Sequence, residues 1–184
     1  MRRFATMGIC AVLGAFAGQG FAAAAVVQRG GANEPLNFVE YRKGLSSAAQ
    51  PAQAWLKTVK DRRFDLVINL APPQSNGSIE TEAALIGKQG ITYLNIPVDF
   101  SKPTLEDFRF FSEVMKASSK QNVFVHCQAN LRASSFVFLY RVIHEGVSVD
   151  EAAVALNQVW VPHPAWKQFI TEVLRAYGKK AELF

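Results

Sequence analysis

The stretch Val123-Phe124-Val125-His126-Cys127-Gln128-Ala129-Asn130-Leu131-Arg132-Ala133-Ser134-Ser135 decides the fold. Val123 to Val125 is short and wholly apolar, as a central strand buried on both faces of a parallel sheet must be. From Ala133 to Glu145 the residues Phe136, Leu139, Tyr140 and Ile143 share one side of a helix. A strand therefore runs into a helix through a short loop, and Cys127 sits at the turn. Ligands of open α/β sheets bind beyond the carboxyl ends of the strands, where a loop entering a helix turns several N–H groups toward an anion. The helix N-terminus and Arg132 both place positive potential beside the thiol, which favours a thiolate. Arg132 adds a planar two-pronged donor suited to an oxyanion.

The flanking sequence supplies the rest of an α/β domain. Leu45 to Ala49 reads as a short strand, and Pro51 stands where a first helical residue would. Ala52, Trp55, Leu56 and Val59 follow with helical spacing, and that helix is expected to end at Lys60-Asp61-Arg62-Arg63. Phe64 to Leu70 has strand composition, and Ala71 to Gly77 is a loop. Ser78 is expected to cap a helix that carries Glu80 and Glu82 in its first turn and stops at Gly90. Ile91 to Val98 is the next strand. Thr104 and Asp107 have capping-box spacing ahead of a helix with Leu105, Phe108, Phe111 and Met115 on one face. Two more helices follow, Val149 to Val159, capped by Ser148 with Glu151, and Pro164 to Tyr177. Strands alternate with helices first and helices dominate at the end. The order implies a largely parallel central sheet flanked by helices, with a helical C-terminal layer.

The chain has 184 residues, enough for one domain with a real core, and 49% of them are hydrophobic against 19% charged. That balance excludes a disordered chain and a membrane bundle. Residues 1–25 have a basic start, an apolar middle from Met7 to Ala17, a small-residue end at Ala22 to Ala25, and no acidic residue. This is the layout of a secretory signal, so a periplasmic or secreted protein is expected, with no stable membrane span once the signal is cleaved. The lead-in 26–40 is polar, the domain is expected over 41–178, and 179–184 is a tail. Loss of Arg2 and Arg3 from 20 basic residues leaves 18 against 15 acidic ones. An excess of three charges does not call for nucleic acid as a partner. Cys10 leaves with the signal, so Cys127 becomes a lone thiol, either inert in the core or kept for its chemistry. No spacing of His, Cys, Asp or Glu points to a metal, no nucleotide loop is present, and no cofactor is expected.

His126-Cys127 followed by Arg132 resembles the signature of the cysteine-dependent protein tyrosine and dual-specificity phosphatases. The chain more closely resembles the small bacterial DUF442, or beta-lactamase-hydrolase-like, phosphatase-like family. That resemblance spans roughly Asn37 to Leu174 and is carried by Gly44 to Pro51, Val67-Ile68-Asn69-Leu70, Asn95-Ile96-Pro97-Val98-Asp99 and the Cys127 loop. It implies a dual-specificity-phosphatase-like fold and hydrolysis of a phosphomonoester in a phosphorylated small molecule or protein, phosphotyrosine among the candidates. By the same resemblance Cys127 is the nucleophile, Arg132 the phosphate clamp and Asp99 the general acid. Gln128, Ala129, Asn130 and Leu131 complete the substrate-binding loop.

His126 is expected to hydrogen-bond the loop backbone, and Ser134 or Ser135 to supply the hydroxyl missing at Ala133. Asp107 is a second acid candidate, already explained by its cap. His144 and His163 read as structural. Asn130 takes the place of the family's loop glycine, a substitution compatible with a left-handed backbone. Four residues instead of five separate Cys127 from Arg132, a length shared with rhodanese-type sulfurtransferases. A persulfide-transferring enzyme and a catalytically inactive oxyanion- or partner-binding domain are therefore the alternatives.

Overall fold

A computed structural model of the chain describes residues 26–27 and 34–180, and the signal-like segment 1–25 lies outside the described residues. Six strands form one sheet: β1 (Val26–Val27), β2 (Val39–Arg42), β3 (Leu45–Ala48), β4 (Leu66–Asn69), β5 (Thr92–Asn95) and β6 (Val123–His126), in the order β1-β2-β3-β6-β4-β5. β3, β6, β4 and β5 run parallel, and β1 and β2 add an antiparallel edge. The largely parallel sheet follows from β6 having parallel neighbours on both sides and from the helices that cover both faces.

The sheet starts earlier than the sequence pattern suggests, since the boundary at residue 41 cuts β2. Val39 and Tyr41 face inward and Glu40 and Arg42 outward. Four alternating residues form too short a pattern to stand out from a polar lead-in.

On one face, α1 (Gln53–Leu56) and α2 (Glu82–Gly87) cover Trp55, Leu56, Val59, Phe64, Val67, Ile86 and Phe124. On the other face lie α3 (Leu105–Ala117), α4 (Leu131–His144), α5 (Val149–Val159) and α6 (Pro164–Ala176), around a core that includes Phe108, Phe111, Phe136, Trp166 and Phe169. α4 is buried along nearly its whole length because it packs on the sheet, α5 and α6 at once. Among the described residues no helix is long and apolar enough to cross a membrane.

Two helices are shorter than expected. α1 is a single turn because the Thr58 N–H and hydroxyl both donate to the Trp55 carbonyl, at 2.9 and 2.8 Å, which tightens the chain to an i−3 pattern. The turns that follow close at Arg63, whose φ is +64°. α2 starts at Glu82, not at Ser78. The Ser78 N–H instead closes a turn on the Ser75 carbonyl at 3.0 Å. Gly90, at φ +76°, ends the turns after α2 where a glycine stop is expected.

The capping box ahead of α3 is present as read: Thr104 Oγ1 accepts from Asp107 N at 3.1 Å and Asp107 Oδ2 accepts from Thr104 N at 2.9 Å. Thr104→Ala is therefore expected to lower stability by about 1 kcal/mol, read as a shifted urea midpoint with unchanged slope. Ser78→Ala, which removes no cap, should leave that midpoint in place.

Candidate active site

Cys127 directly follows β6 at the carboxyl end of the sheet, with neighbouring strands holding both sides of the loop. Its N–H donates to the carbonyl of Ala48, the last residue of β3, at 3.4 Å, and Leu70 N, just beyond β4, donates to His126 O at 2.8 Å. Gln50 N donates to Gln128 O at 3.2 Å. Asn130 turns the chain into α4 at φ +69°, the left-handed conformation that asparagine tolerates. The first N–H groups of α4 have no intrahelical acceptor and face the loop.

Arg132 stands in that first turn, only 7% exposed, and its Nε has no protein partner. Its guanidinium lies 5.3 Å from the Phe100 ring centroid. Cys127, Gln128, Ala129, Leu131, Arg132 and Phe100 line one cavity of about 270 Å³. Buried Cys127 thus opens onto the same cavity that the Arg132 side chain lines. Asn130 is not part of that lining. The left-handed turn aims its amide backward, where Nδ2 donates to Asn37 O at 2.6 Å.

Asp99 lies on the exposed loop after β5, within electrostatic reach of Arg132. Its Oδ1 accepts from Ser101 Oγ at 2.7 Å and from Ser101 N at 2.8 Å. These two bonds, Ser101's hydroxyl first, hold the carboxyl below the usual carboxylate range, and Arg132 adds a smaller pull in the same direction. The loop is moored to α6, since Trp166 Nε1 donates to Phe100 O at 2.9 Å and the Phe100 ring packs among Trp160, His163 and Trp166. His163 belongs to this aromatic cluster. His144 bonds Ser112 Oγ at 2.7 Å on the buried side of α3, and burial pushes its imidazole down.

Two expected supports of the loop act differently. Neither ring nitrogen of His126 hydrogen-bonds the loop backbone. The ring stacks on Phe124 and brings Nε2 to 3.1 Å from Glu82 Oε1, close enough for an ionic contact but out of line for a hydrogen bond. The strand's alternation explains this, because His126 points to the α2 face while Cys127 packs in the cluster on the other. Ser134 and Ser135 both direct their hydroxyls to Leu131 O, at 3.3 and 2.9 Å, the back-bonding usual for a hydroxyl inside a helix.

Glu82 was given no role by the sequence reading beyond a place in the first turn of a helix. It is 3% exposed and links the strand ends behind the loop. Oε1 accepts from Gln50 Nε2 at 3.1 Å, and Oε2 accepts from Asn69 Nδ2 at 3.2 Å. The Tyr93 hydroxyl stands 3.5 Å from Oε2, and burial, with Glu82's charge, pushes that phenol up to about 12. The available signal was spacing: Glu82 and Ile86 are four apart and share α2's buried face. Asn69 Oδ1 also accepts from Ala71 N, and Asn95 Nδ2 donates to the carbonyls of Asn69 and Ala71, all at 2.8 Å. Both asparagines thereby shape the loop beyond β4. Among the described residues no group of three His, Cys, Asp or Glu side chains could hold a metal ion.

A family profile described as a DSP-PTPase phosphatase fused to NAD+ kinase matches residues 18–171, and the chain belongs to this phosphatase family. A DUF442 protein of Shewanella putrefaciens CN-32 has a similar solved structure at 30% identity and TM-score 0.69, with 76% of this chain and 92% of that one covered. The fold is also that of the catalytic core of Siw14, a PP-IP phosphatase from S. cerevisiae, at 15% identity and TM-score 0.63 over 78% of this chain and 92% of the other. It recurs in TpbA of P. aeruginosa at 14% identity and TM-score 0.59, over 79% and 86%. No curated protein sequence matches the chain.

Glu82→Ala removes the acceptor of Gln50 Nε2, leaves Asn69 Nδ2 only the Tyr93 hydroxyl at 3.2 Å, and strips His126 of its carboxylate neighbour; it is expected to cost about 2 kcal/mol, measured by urea unfolding. Ser101→Ala should raise the Asp99 titration midpoint, read by NMR of the carboxyl group, because it removes the larger of the two stabilising bonds.

Proposed function

We propose that the protein is a cysteine-dependent phosphomonoesterase working through a cysteinyl-phosphate intermediate, with phosphotyrosine among its candidate substrates. One observation carries this reading: a thiol and a buried guanidinium with an unpartnered Nε share one small cavity at the N-terminus of α4. Membership of the phosphatase family supports it.

In the first step the Cys127 thiolate attacks phosphorus and the ester P–O bond breaks. Arg132 and loop N–H groups hold the non-bridging oxygens, and Asp99 gives the leaving oxygen its proton. In the second step water attacks phosphorus and passes a proton to Asp99, while the thiolate leaves. The balance is ester plus water giving alcohol plus phosphate. Each positioned group of this kind contributes about 10²-fold or more. Asp99 must swing from Ser101 toward the cavity to act, a rearrangement common between unliganded and substrate-bound sites. Periplasmic or secreted residence is part of the proposal, resting on the composition of residues 1–25.

Hydrolysis of an aryl phosphate under reductant tests the reading. Cys127→Ser should abolish turnover, and Asp99→Asn should lower it by about 10²-fold. Thiocyanate formed from thiosulfate and cyanide, without phosphate release, would instead favour sulfur transfer. An acid must be protonated to act, so Asp99 limits the rate as pH rises through its titration. The low position that Ser101 imposes in the unliganded protein sets this falling limb below the ordinary carboxylate range in kcat/KM profiles, which report the free enzyme, and Ser101→Ala should move it there to higher pH.

A further inference from the structure

The catalytic loop is braced from outside by residues that precede the sheet's main body. Asn37 Nδ2 donates to Ala129 O at 3.1 Å across 92 residues, and Asn130 Nδ2 returns a bond to Asn37 O at 2.6 Å. Asn37 itself has φ +55°, a left-handed conformation matching that of Asn130 at +69°. Next to Asn37, Leu36 O accepts from Ala49 N at 2.9 Å, and Ala49 forms an isolated antiparallel bridge with Ala129. The segment is therefore laced both to the end of β3 and to the loop.

This lacing bears on anion binding. In a trans peptide the carbonyl and the following N–H point in opposite directions. Gln50 N fixes the Gln128 carbonyl from outside and so sets the Ala129 N–H. Asn37 fixes the next peptide through the Ala129 carbonyl and also holds the side chain of Asn130, the left-handed residue from which α4 departs. The direction of that turn sets where Leu131 and Arg132, both lining the cavity, present their free N–H groups and guanidinium. With one residue fewer than the main phosphatase signature, this loop has less backbone of its own to hold that shape.

We propose that Asn37 is a positioning residue for the anion cradle, so that the segment preceding β2 is a working part of the catalytic loop. The inference rests on the phosphate-binding reading of the Cys127 loop. Asn37 touches no substrate and acts through Ala129 and Asn130.

The test uses the full chain with orthovanadate and inorganic phosphate as probes. Affinity is taken from the ligand-dependent rise in Tm, alongside aryl phosphate kinetics. Asn37→Ala, with Asn37→Asp as the same-sized variant that lacks the amide donor, should bind vanadate about tenfold more weakly per folded molecule. Asn130→Gly keeps the left-handed turn but loses the return bond, and should weaken binding less. Both Asn37 variants binding within about twofold of the wild type would overturn the inference, even with a lowered Tm. A wild type that binds phosphate but turns nothing over would overturn the phosphatase reading alone, and one that binds neither probe would overturn both.

Discussion

A guanidinium taken out of water with a donor left unsatisfied demands an anion, and the site is organised around that demand at Arg132. Its Nε has no protein partner, and the guanidinium lies over the face of Phe100. A cation over an aromatic ring gains about 0.5–2 kcal/mol, whereas each hydrogen bond to a charged group is worth about 1.5–3 kcal/mol. A two-pronged contact with an oxyanion therefore outweighs the ring contact. The free N–H groups of α4 add donors on the same side, and the thiol opens into the same space.

The scaffold supplies rigidity where this demand needs it and exposure elsewhere. Four parallel strands end at one level, and Glu82 ties three of their ends together through Gln50, Asn69 and His126. A buried carboxylate is costly unless hydrogen-bonded, so its neighbours have little freedom to move without it. Asp99 lies outside this braced region, on an exposed loop moored through Phe100 to Trp166. The proposed proton donor is thus free to turn while the phosphate-binding loop is held still.

What the sequence revealed and what it hid divide along sequence separation. Cys127, Arg132 and the left-handed Asn130 lie within six consecutive residues, so a strand, a turn and a helix start are enough to bring the thiol and the guanidinium to one cavity. The Thr104 and Asp107 cap was legible for the same reason. Glu82 and Asn37 work through partners 11 to 93 residues away, a pairing that no local pattern encodes. For His126 the sequence reading named the loop backbone as partner, whereas the neighbour of its ring nitrogen is Glu82, which arrives from α2. The α1 helix was overestimated since its apolar spacing continues through Val59, while Thr58 diverts the backbone beforehand.

Direct observation of the covalent intermediate is the most immediate test of the central claim. The Asp99→Asn chain, mixed with an aryl phosphate and quenched in acid within the first turnover, should yield the Cys127 peptide carrying one added phosphoryl group by mass spectrometry. It should be absent from Cys127→Ser. Release of phosphate by the wild type with no phosphoryl group on Cys127 at any quench time, or its undiminished release by Cys127→Ser, would contradict the account.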